Sequence, residues 1–188
     1  MRKAIYSDKK QVISILTEAF LDNKSVNYLI PQDDRRVERI KHLMDYSFEV
    51  CYASGKILLS ENKQCCALIS FPDNKKTSLK SIVNEIRLIV KSIGILNVSK
   101  AINREKKISI NYPKTPIYYL WFIGVHPSAQ NKGIGGMMMD TIVKDAISMN
   151  RTIYLETSTE KNVSWYQKIG FTIYNELDFG YLLKLLKK

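Results

Sequence analysis

Cysteine and histidine are scarce in this chain, and their scarcity excludes two kinds of scaffold. Of 188 residues, three are cysteine and two are histidine. Cys51, Cys65 and Cys66 are odd in number and lack CxxC spacing, which argues against a disulfide framework and a structural zinc site. Adjacent residues of a strand point to opposite faces, so Cys65 and Cys66 cannot bridge easily. We predict that all three thiols fill the core, and we expect no metal.

Long apolar runs are also absent. Asp8, Lys9 and Glu18 interrupt the apolar positions of the first twenty residues, unlike the apolar stretch of a signal peptide. There is no uncharged apolar run of about 18 residues, the length that spans a membrane. Repeats and Pro/Gly/Ser-rich linkers are missing too. With 45% apolar residues, we expect one cytoplasmic domain over residues 1–188 and no membrane partner.

Glycine is sparse and unevenly placed. Four of the eight glycines lie within residues 121–136, which read Trp-Phe-Ile-Gly-Val-His-Pro-Ser-Ala-Gln-Asn-Lys-Gly-Ile-Gly-Gly. The segment joins an apolar run to an amphipathic pattern, which predicts a strand, a loop and a helix. The unpaired N–H groups and the macrodipole of such a helix start favour a phosphate-bearing ligand.

The spacing of these glycines excludes two common phosphate-binding loops. A dinucleotide fingerprint would need glycine where Met138 stands, and the triphosphate loop G-x-x-x-x-G-K-[ST] does not occur. What remains is Gln130-x-x-Gly133-x-Gly135, followed after a second predicted strand by Asn-Val-Ser-Trp-Tyr-Gln-Lys-Ile-Gly-Phe at residues 162–171.

These two segments resemble the acyl-CoA-binding core of the GCN5-related N-acetyltransferases (GNAT). The family's loop reads Gln or Arg, two residues, Gly, one residue, Gly or Ala, and its later stretch reads N-x-x-[FWL]-Y-x-K-x-G-F. The resemblance implies an α+β fold with three layers, α/β/α, around a mixed, mostly antiparallel sheet. It implies acetyl-CoA as co-substrate, with two strands that splay apart to admit the pantetheine arm. Asn131 replaces a glycine of many relatives, and asparagine is the least penalised substitute if φ is positive there.

The resemblance also assigns residues to the cofactor. Backbone N–H groups of residues 130–136 would face the pyrophosphate, and the strand backbone at Ile123 and Val125 would bond the pantetheine amides and the thioester oxygen. Asn162 would bond the cofactor arm, unless it caps its helix. The predicted cofactor-binding residues are Ile123, Gly124, Val125, Gln130, Asn131, Lys132, Gly133, Ile134, Gly135, Gly136 and Asn162.

Two side chains are predicted to act in catalysis. The resemblance places Tyr166 near the thioester sulfur, where its phenol would donate a proton to the leaving thiolate; the alternative is packing against neighbouring aromatic rings. The acid that many relatives carry before the glycine loop is missing from residues 118–125. Glu156 in the next strand is therefore the candidate base, with a pKa raised by partial burial, or else a structural carboxylate. His126 and a water chain are the other candidates for the base.

Charge is concentrated in the middle of the chain. The formal net charge is +11, and residues 75–107 hold nine basic side chains and two acidic ones. One interpretation is attraction of an acidic partner, either the cofactor phosphates or nucleic acid. We favour a solvated face of a basic helical segment at about 78–107, because its lysines alternate with an apolar stripe and aromatic residues for base stacking are missing.

Periodicity and turn signals predict the other elements. Helices are expected after Ser7 or Asp8, after Asp33-Asp34, along an apolar stripe between Leu79 and Ile93, through 98–102, over 134–149 and over 162–169; strands are expected at 56–60, 64–71, 117–125, 152–157, 171–179 and 181–186.

The resemblance to this family implies an acetyl-CoA-dependent N-acetyltransferase that acts on a primary amine of a small molecule, peptide or protein. The acceptor pocket should lie between the first two predicted helices and the basic segment. The alternatives are a non-catalytic acyl-CoA-binding module and a nucleic-acid-associated protein of the same fold. A homodimer is expected on general frequency alone.

Overall fold

A seven-stranded sheet organises the computed structural model, which describes residues 1–74 and 77–188. The strands are β1 (Arg2–Lys3), β2 (Lys56–Leu59), β3 (Cys65–Ser70), β4 (Tyr118–Val125), β5 (Ile153–Thr157), β6 (Thr172–Asp178) and β7 (Leu182–Lys187). They are ordered β1-β2-β3-β4-β5-β7-β6, and only the pair β4 and β5 is parallel. The predicted α+β class with a mixed, mostly antiparallel sheet is confirmed.

The helices are α1 (Lys9–Ala19), α2 (Lys24–Leu29), α3 (Arg36–Ser54), α4 (Leu79–Leu88), α5 (Val98–Ser109), α6 (Ile134–Ser148) and α7 (Glu160–Lys168). A π-helical turn (Ile89–Ile93) prolongs α4 up to Gly94, whose φ is +76°. Sequence periodicity missed α2 and β1, because six and two residues are too few to show a period. No helix within the described ranges is long and apolar enough to cross a membrane.

Turn chemistry fixes the first hairpin. The Ser60 hydroxyl accepts hydrogen bonds from the N–H groups of Gln64 (3.1 Å) and Cys65 (2.9 Å). Lys63 takes a positive φ of 53° between them. These bonds close the turn and set the register in which Leu59 faces Cys66.

Helices cover both faces of the sheet. Residues of α1, α2 and α3 pack with Leu68 and Phe122 in one core, and residues of α6 and α7 pack with Leu120 in the other. Cys65 belongs to the α6 core and Cys66 to the α1 core, as expected for neighbours on a strand. All three cysteines are free and buried, which confirms their assignment to the core, and burial raises the pKa of each thiol.

The basic segment packs differently from what its apolar stripe suggests. Leu79, Ile86 and Val90 are 84%, 56% and 62% exposed, so much of the stripe faces solvent. The opposite side, with Leu88 and Ile89, lines an interior cleft. Periodicity gives a helix with an apolar face but does not decide which face the protein covers. Lys75 and Lys76, part of the predicted basic stretch, lie outside the described residues.

Candidate active site

The glycine-bearing loop joins β4 to α6 through two residues with positive φ. Asn131 has φ 61°, which meets the condition under which asparagine replaces glycine at least cost, and Gly133 has φ 77° at the N-cap of α6. The first helical N–H with a backbone acceptor is that of Met137, which donates to the Gly133 carbonyl at 3.1 Å. The amides before Met137 in this first turn therefore point out of the helix end, toward any ligand.

Space around this turn suits a phosphate. A Cβ added to Gly133 or Gly136 would meet no atom within 4 Å, and one added to Gly135 would lie 3.5 Å from Val125 Cγ2. The long side chains brace the loop from within: Gln130 Nε2 donates to the Val125 carbonyl at 3.3 Å, and Lys132 Nζ to the Ser128 carbonyl at 2.8 Å. The loop therefore offers backbone amides, positive helix-dipole potential and open space at one point.

Strands β4 and β5 are paired only at their beginnings. Tyr118 faces Ile153 and Tyr119 faces Tyr154, and the ladder stops there. On the β3 side of β4, the N–H of His126 donates to the carbonyl of Gln64, the residue just before β3, at 2.8 Å. Hydrogen bonding alternates along an antiparallel ladder, so the peptide groups of Ile123 and Val125 point away from β3, toward the gap beside β5. The expectation of strands that splay here agrees with this pairing.

Glycine is required at position 124 by the packing of α1 against β4. A Cβ at this position would lie 2.9 Å from Leu16 Cδ2 and 3.3 Å from Ala19 Cβ. Helix α1 therefore approaches β4 closely at this residue. By the same alternation, the peptide group of Gly124 is turned toward β3, so this residue is explained by the approach of α1 without any ligand.

Helix α7 carries Tyr166 and Asn162. Tyr166 is 5% exposed and packs against Trp165 and Phe171, with ring centroids 4.9 and 5.4 Å away. Burial raises its pKa, which keeps the phenol protonated near neutral pH. Asn162 is exposed in the first turn, and the N-cap is Thr159, so the alternative that Asn162 caps the helix is wrong.

Glu156 is held by two tyrosines at the end of β5. Tyr112 OH donates to its Oε1, and Tyr119 OH donates to its Oε2 at 2.8 Å. Burial raises the pKa of Glu156, although both tyrosine hydrogen bonds and the nearby Arg104 lower it. Glu156 is half-buried, and its surroundings shift the pKa of its carboxyl in the direction expected from the sequence. Its partners are hydroxyl groups, not the neighbouring backbone considered for a structural carboxylate.

A cleft of about 760 Å³ opens beside these residues. Its walls come from Phe20 just after α1, from α2, α3, the α4 segment and α5, and its inner end from β4 and β5. Glu156 and Ser158 line it, as do Tyr119, Trp121 and Phe122. The position of the cleft, between the first helices and the basic segment, is the one predicted for the acceptor pocket.

A β-bulge turns two consecutive aromatic residues toward this cleft. Pairing passes from Leu68 facing Phe122 to Ile69 facing Leu120, which leaves Trp121 as an extra residue on β4. Leu120 therefore stays on the α6 side while Trp121 and Phe122 both pack on the α1 side. Strict alternation along the strand would have put these two neighbours on opposite faces, so no pattern in the sequence indicated this wall.

Two other polar side chains, His126 and Asp33, lie outside the cleft and have partners of their own. His126 caps the short turn after β4 by accepting from the Ser128 N–H at 3.3 Å, and its Nε2 lies 2.9 Å from Glu18. Asp33 accepts from Arg39 at 2.7 Å and from the Arg35 N–H at 3.1 Å. Within the described part of the chain, no group of three or more His, Cys, Asp or Glu side chains could hold a metal ion.

Comparisons with known proteins agree with this geometry. An acetyltransferase (GNAT) domain model matches residues 82–173, just under half of the chain and the part that holds β4, the glycine loop, β5 and α7.

Solved structures share the fold at low sequence identity. A histone acetyltransferase HPA2 and related acetyltransferase from Corynebacterium glutamicum has a TM-score of 0.74 at 20% identity, covering 100% of this chain and 93% of that one. Arylalkylamine N-acetyltransferase 2 from Aedes aegypti has a TM-score of 0.65 at 14% identity, covering 100% of this chain and 96% of that one. Polyamine N-acetyltransferase from Drosophila melanogaster, described as forming N-acetylagmatine, has 0.63 at 12% identity, covering 100% and 97%.

Proposed function

We propose that this protein transfers an acetyl group from acetyl-CoA to a primary amine. The proposal starts from its family, because this chain belongs to the GCN5-related N-acetyltransferase superfamily of acyltransferases. The observation that carries the proposal is the start of α6, where unpaired amides, a left-handed Gly133 and open space meet beside the gap between β4 and β5. A diphosphate fits the first feature and an extended amide-bearing arm fits the second.

The residues that would hold acetyl-CoA are mostly backbone. Amides of residues 130–136 would bind the pyrophosphate, and the outward-facing peptide groups of Ile123 and Val125 would bond the arm. Asn162, exposed on α7, would contribute a side-chain amide. When bound, acetyl-CoA supplies an activated acyl group as a thioester.

Tyr166 is proposed as the general acid. Transfer forms a carbon–nitrogen bond and breaks the carbon–sulfur bond, so the departing thiolate needs a proton. Among the described residues the Tyr166 hydroxyl has no hydrogen-bond partner, and burial raises its pKa, so the phenol is in the protonated form that a general acid requires. Its ring is fixed by Trp165 and Phe171, so packing and proton donation are compatible roles.

Glu156 is proposed as the general base. An amine reaches the cleft as an ammonium ion and must lose a proton before it attacks the thioester carbon. Glu156 lines the cleft, and its raised pKa brings it closer to working pH than an exposed glutamate. Tyr112 and Tyr119 hold its two oxygens in place, and a carboxylate retains further lone pairs for an amine or a bridging water.

An amine acceptor is supported by the structural relatives, two of which are named for the acetylation of arylalkylamines and of polyamines. The acceptor is a small molecule, a peptide or a protein. A cytoplasmic location and a homodimer remain part of this proposal.

Two measurements test the proposed function. Acetyl-CoA should raise the unfolding temperature, because a ligand that binds only the folded state stabilises it. Thiol release should then follow addition of a library of small amines and peptide N-termini. Stabilisation without thiol release would favour a non-catalytic binding module, and salt-sensitive retention of DNA or RNA would favour a nucleic-acid partner. Absence of any stabilisation or heat of binding would refute the acyl-CoA site.

A further inference from the structure

The cleft beside Glu156 has a composition that restricts which amine it accepts. Its aromatic wall is built by Tyr119, Trp121 and Phe122 of β4 together with Phe20 before α2 and Tyr46 of α3. The rings contact one another. The ring centroids of Phe20 and Phe122 lie 5.1 Å apart, and that of Trp121 lies 6.3 Å from Tyr46 and 6.4 Å from Tyr119. Such a wall favours a flat apolar group and also a cation over the ring faces.

The opposite wall is apolar. It is formed by Leu88 at the end of α4, by Ile89 and Ile93 of the π-helical turn, and by Ala101 and Ile102 of α5. An acceptor that enters between the two walls is therefore covered on both sides by carbon atoms, which gains free energy only if its body is apolar.

The charged side chains that line the cleft include more acidic than basic groups, although the chain as a whole is basic. The net charge of the protein is +11, yet three carboxylates line the cleft, Glu85, Glu105 and Glu156, against the two cations Arg104 and Lys106. Arg104 is already engaged: it binds Glu105 and the Ser25 hydroxyl, each at 2.6 Å, and the Tyr181 hydroxyl at 3.2 Å. A ligand carboxylate would therefore compete with these existing bonds, whereas an ammonium group at the inner end of the cleft meets the carboxylate of Glu156.

Two polar groups of the cleft are buried, one in the aromatic wall and one at the inner end. Burial, followed by the charges of Glu85 and Glu105, raises the pKa of Tyr46 to about 12. At the inner end, the Ser158 hydroxyl is buried and has no hydrogen-bond partner within the described residues. A buried hydroxyl without a partner is uncommon in a folded protein, and a polar ligand atom beside Glu156 would satisfy it.

We propose that this cleft selects primary amines that carry their ammonium group on an aromatic or similarly flat apolar body without a carboxylate. This inference rests on the proposed function and specifies its substrate class. The ring packs against Trp121 and the neighbouring aromatic wall, and the amine points to Glu156 and Ser158. The β-bulge at Trp121 is the feature that creates the specificity, because it adds this ring to the wall.

Matched acceptors test the selectivity through thiol release. 2-Phenylethylamine should have a kcat/KM about twofold to twelvefold above that of hexylamine, since ring packing exceeds equal apolar area by that factor. Phenylalanine, which adds a carboxylate to the same body, should be at least about tenfold poorer than 2-phenylethylamine, the loss expected for one unpaired charge. Equal or better rates with phenylalanine, or with peptide N-termini, would overturn the inference while leaving the acetyltransferase proposal intact.

A variant pair locates the selectivity. Trp121→Leu should remove the preference for 2-phenylethylamine over hexylamine and keep the thermal stabilisation by acetyl-CoA. Tyr52→Leu is the control, because Tyr52 is a 43% exposed ring on α3 outside the cleft. A preference that survives Trp121→Leu, or that Tyr52→Leu removes equally, would contradict the assignment.

A binding measurement decides the question without turnover. The trimethyl-(2-phenylethyl)ammonium ion keeps the ring and the charge but cannot be acetylated. Calorimetry with the acetyl-CoA-loaded protein should show that it binds more tightly than neutral 2-phenylethanol, and Trp121→Leu should weaken it about fivefold or more. Equal affinity of the ion and the alcohol would refute the inference even if no amine is ever acetylated.

Discussion

Replacement of single glycines in the loop before α6 separates backbone strain from ligand binding. Gly133→Ala and Gly135→Ala are a matched pair two residues apart. Gly133 has φ +77°, and an added Cβ would meet no atom within 4 Å, so any cost of alanine is conformational and not steric. A left-handed L-residue costs about 1–2 kcal/mol. Gly135 does not have a positive φ, and its Cβ would make an ordinary 3.5 Å contact with Val125.

The two substitutions should therefore act in opposite directions. Gly135→Ala should raise the free energy of unfolding by about 0.5–1 kcal/mol, the gain for alanine over glycine in a helix, and leave coenzyme A affinity unchanged. Gly133→Ala should relax the loop out of its left-handed turn and misalign the amides, which weakens coenzyme A binding by about fivefold to thirtyfold if the strain of about 1–2 kcal/mol falls on the bound state.

Urea unfolding and titration calorimetry measure the two effects on the same proteins. Coenzyme A itself is a suitable ligand, because it carries the diphosphate without turnover. Unchanged affinity and unchanged stability of Gly133→Ala would refute the role of the left-handed turn. An equal loss of affinity in both variants would show that the loop responds to any added Cβ and not to backbone conformation.

Three further predictions concern protonation. Tyr166→Phe should lower turnover by about tenfold or more through loss of the acid, with acetyl-CoA affinity almost unchanged, and equal turnover would remove the assignment. The wild-type kcat/KM should fall as pH drops through the raised pKa of Glu156, since the base must be ionised; Glu156→Gln should lower the rate about 10²-fold and abolish this acid limb, whereas a persisting limb would assign it to another group. Asp8→Asn should destabilise the fold by about 1–2 kcal/mol at neutral pH, because Arg2 binds the Asp8 carboxylate at 2.7 Å and holds its pKa at about 2. A depressed pKa stabilises above the ordinary value, so in urea unfolding this difference should disappear as pH falls from about 3.8 toward 2; a constant difference would contradict the ion-pair explanation.

Secondary structure could be predicted from the sequence wherever a local pattern of residues is enough to decide it. Glycine placement and apolar periodicity predicted β4, the glycine loop and α6 in sequence, and the structure places them within a few residues of the predicted bounds. The motif spacing predicted the family, which the domain match over residues 82–173 supports. The positive φ considered for Asn131 is observed as well. These features depend on near neighbours in the chain, whose effects a linear pattern contains.

Contacts between distant residues were not accessible in the same way. The partners of Glu156 include Tyr112, which is 44 positions away, and no spacing rule connects the two. The exposed side of α4 is another case, because an apolar stripe indicates a helix but not the side on which the rest of the protein packs. The aromatic wall depends on a single extra residue in β4, and the register that produces it is a property of the paired strands.

The sequence by itself determined the backbone of the glycine loop, since left-handed turns and exposed helix amides follow from residues 130–136 alone. Tertiary structure decided everything that lines the cleft. The bulge turns Trp121 and Phe122 to one side, the α4 segment closes the opposite wall, and β5 delivers Glu156 to the end of the cleft. The physical reason is that the cleft forms between helices and strands that are distant in the chain, and the contacts that pack them together cannot be read from the sequence of any one of them.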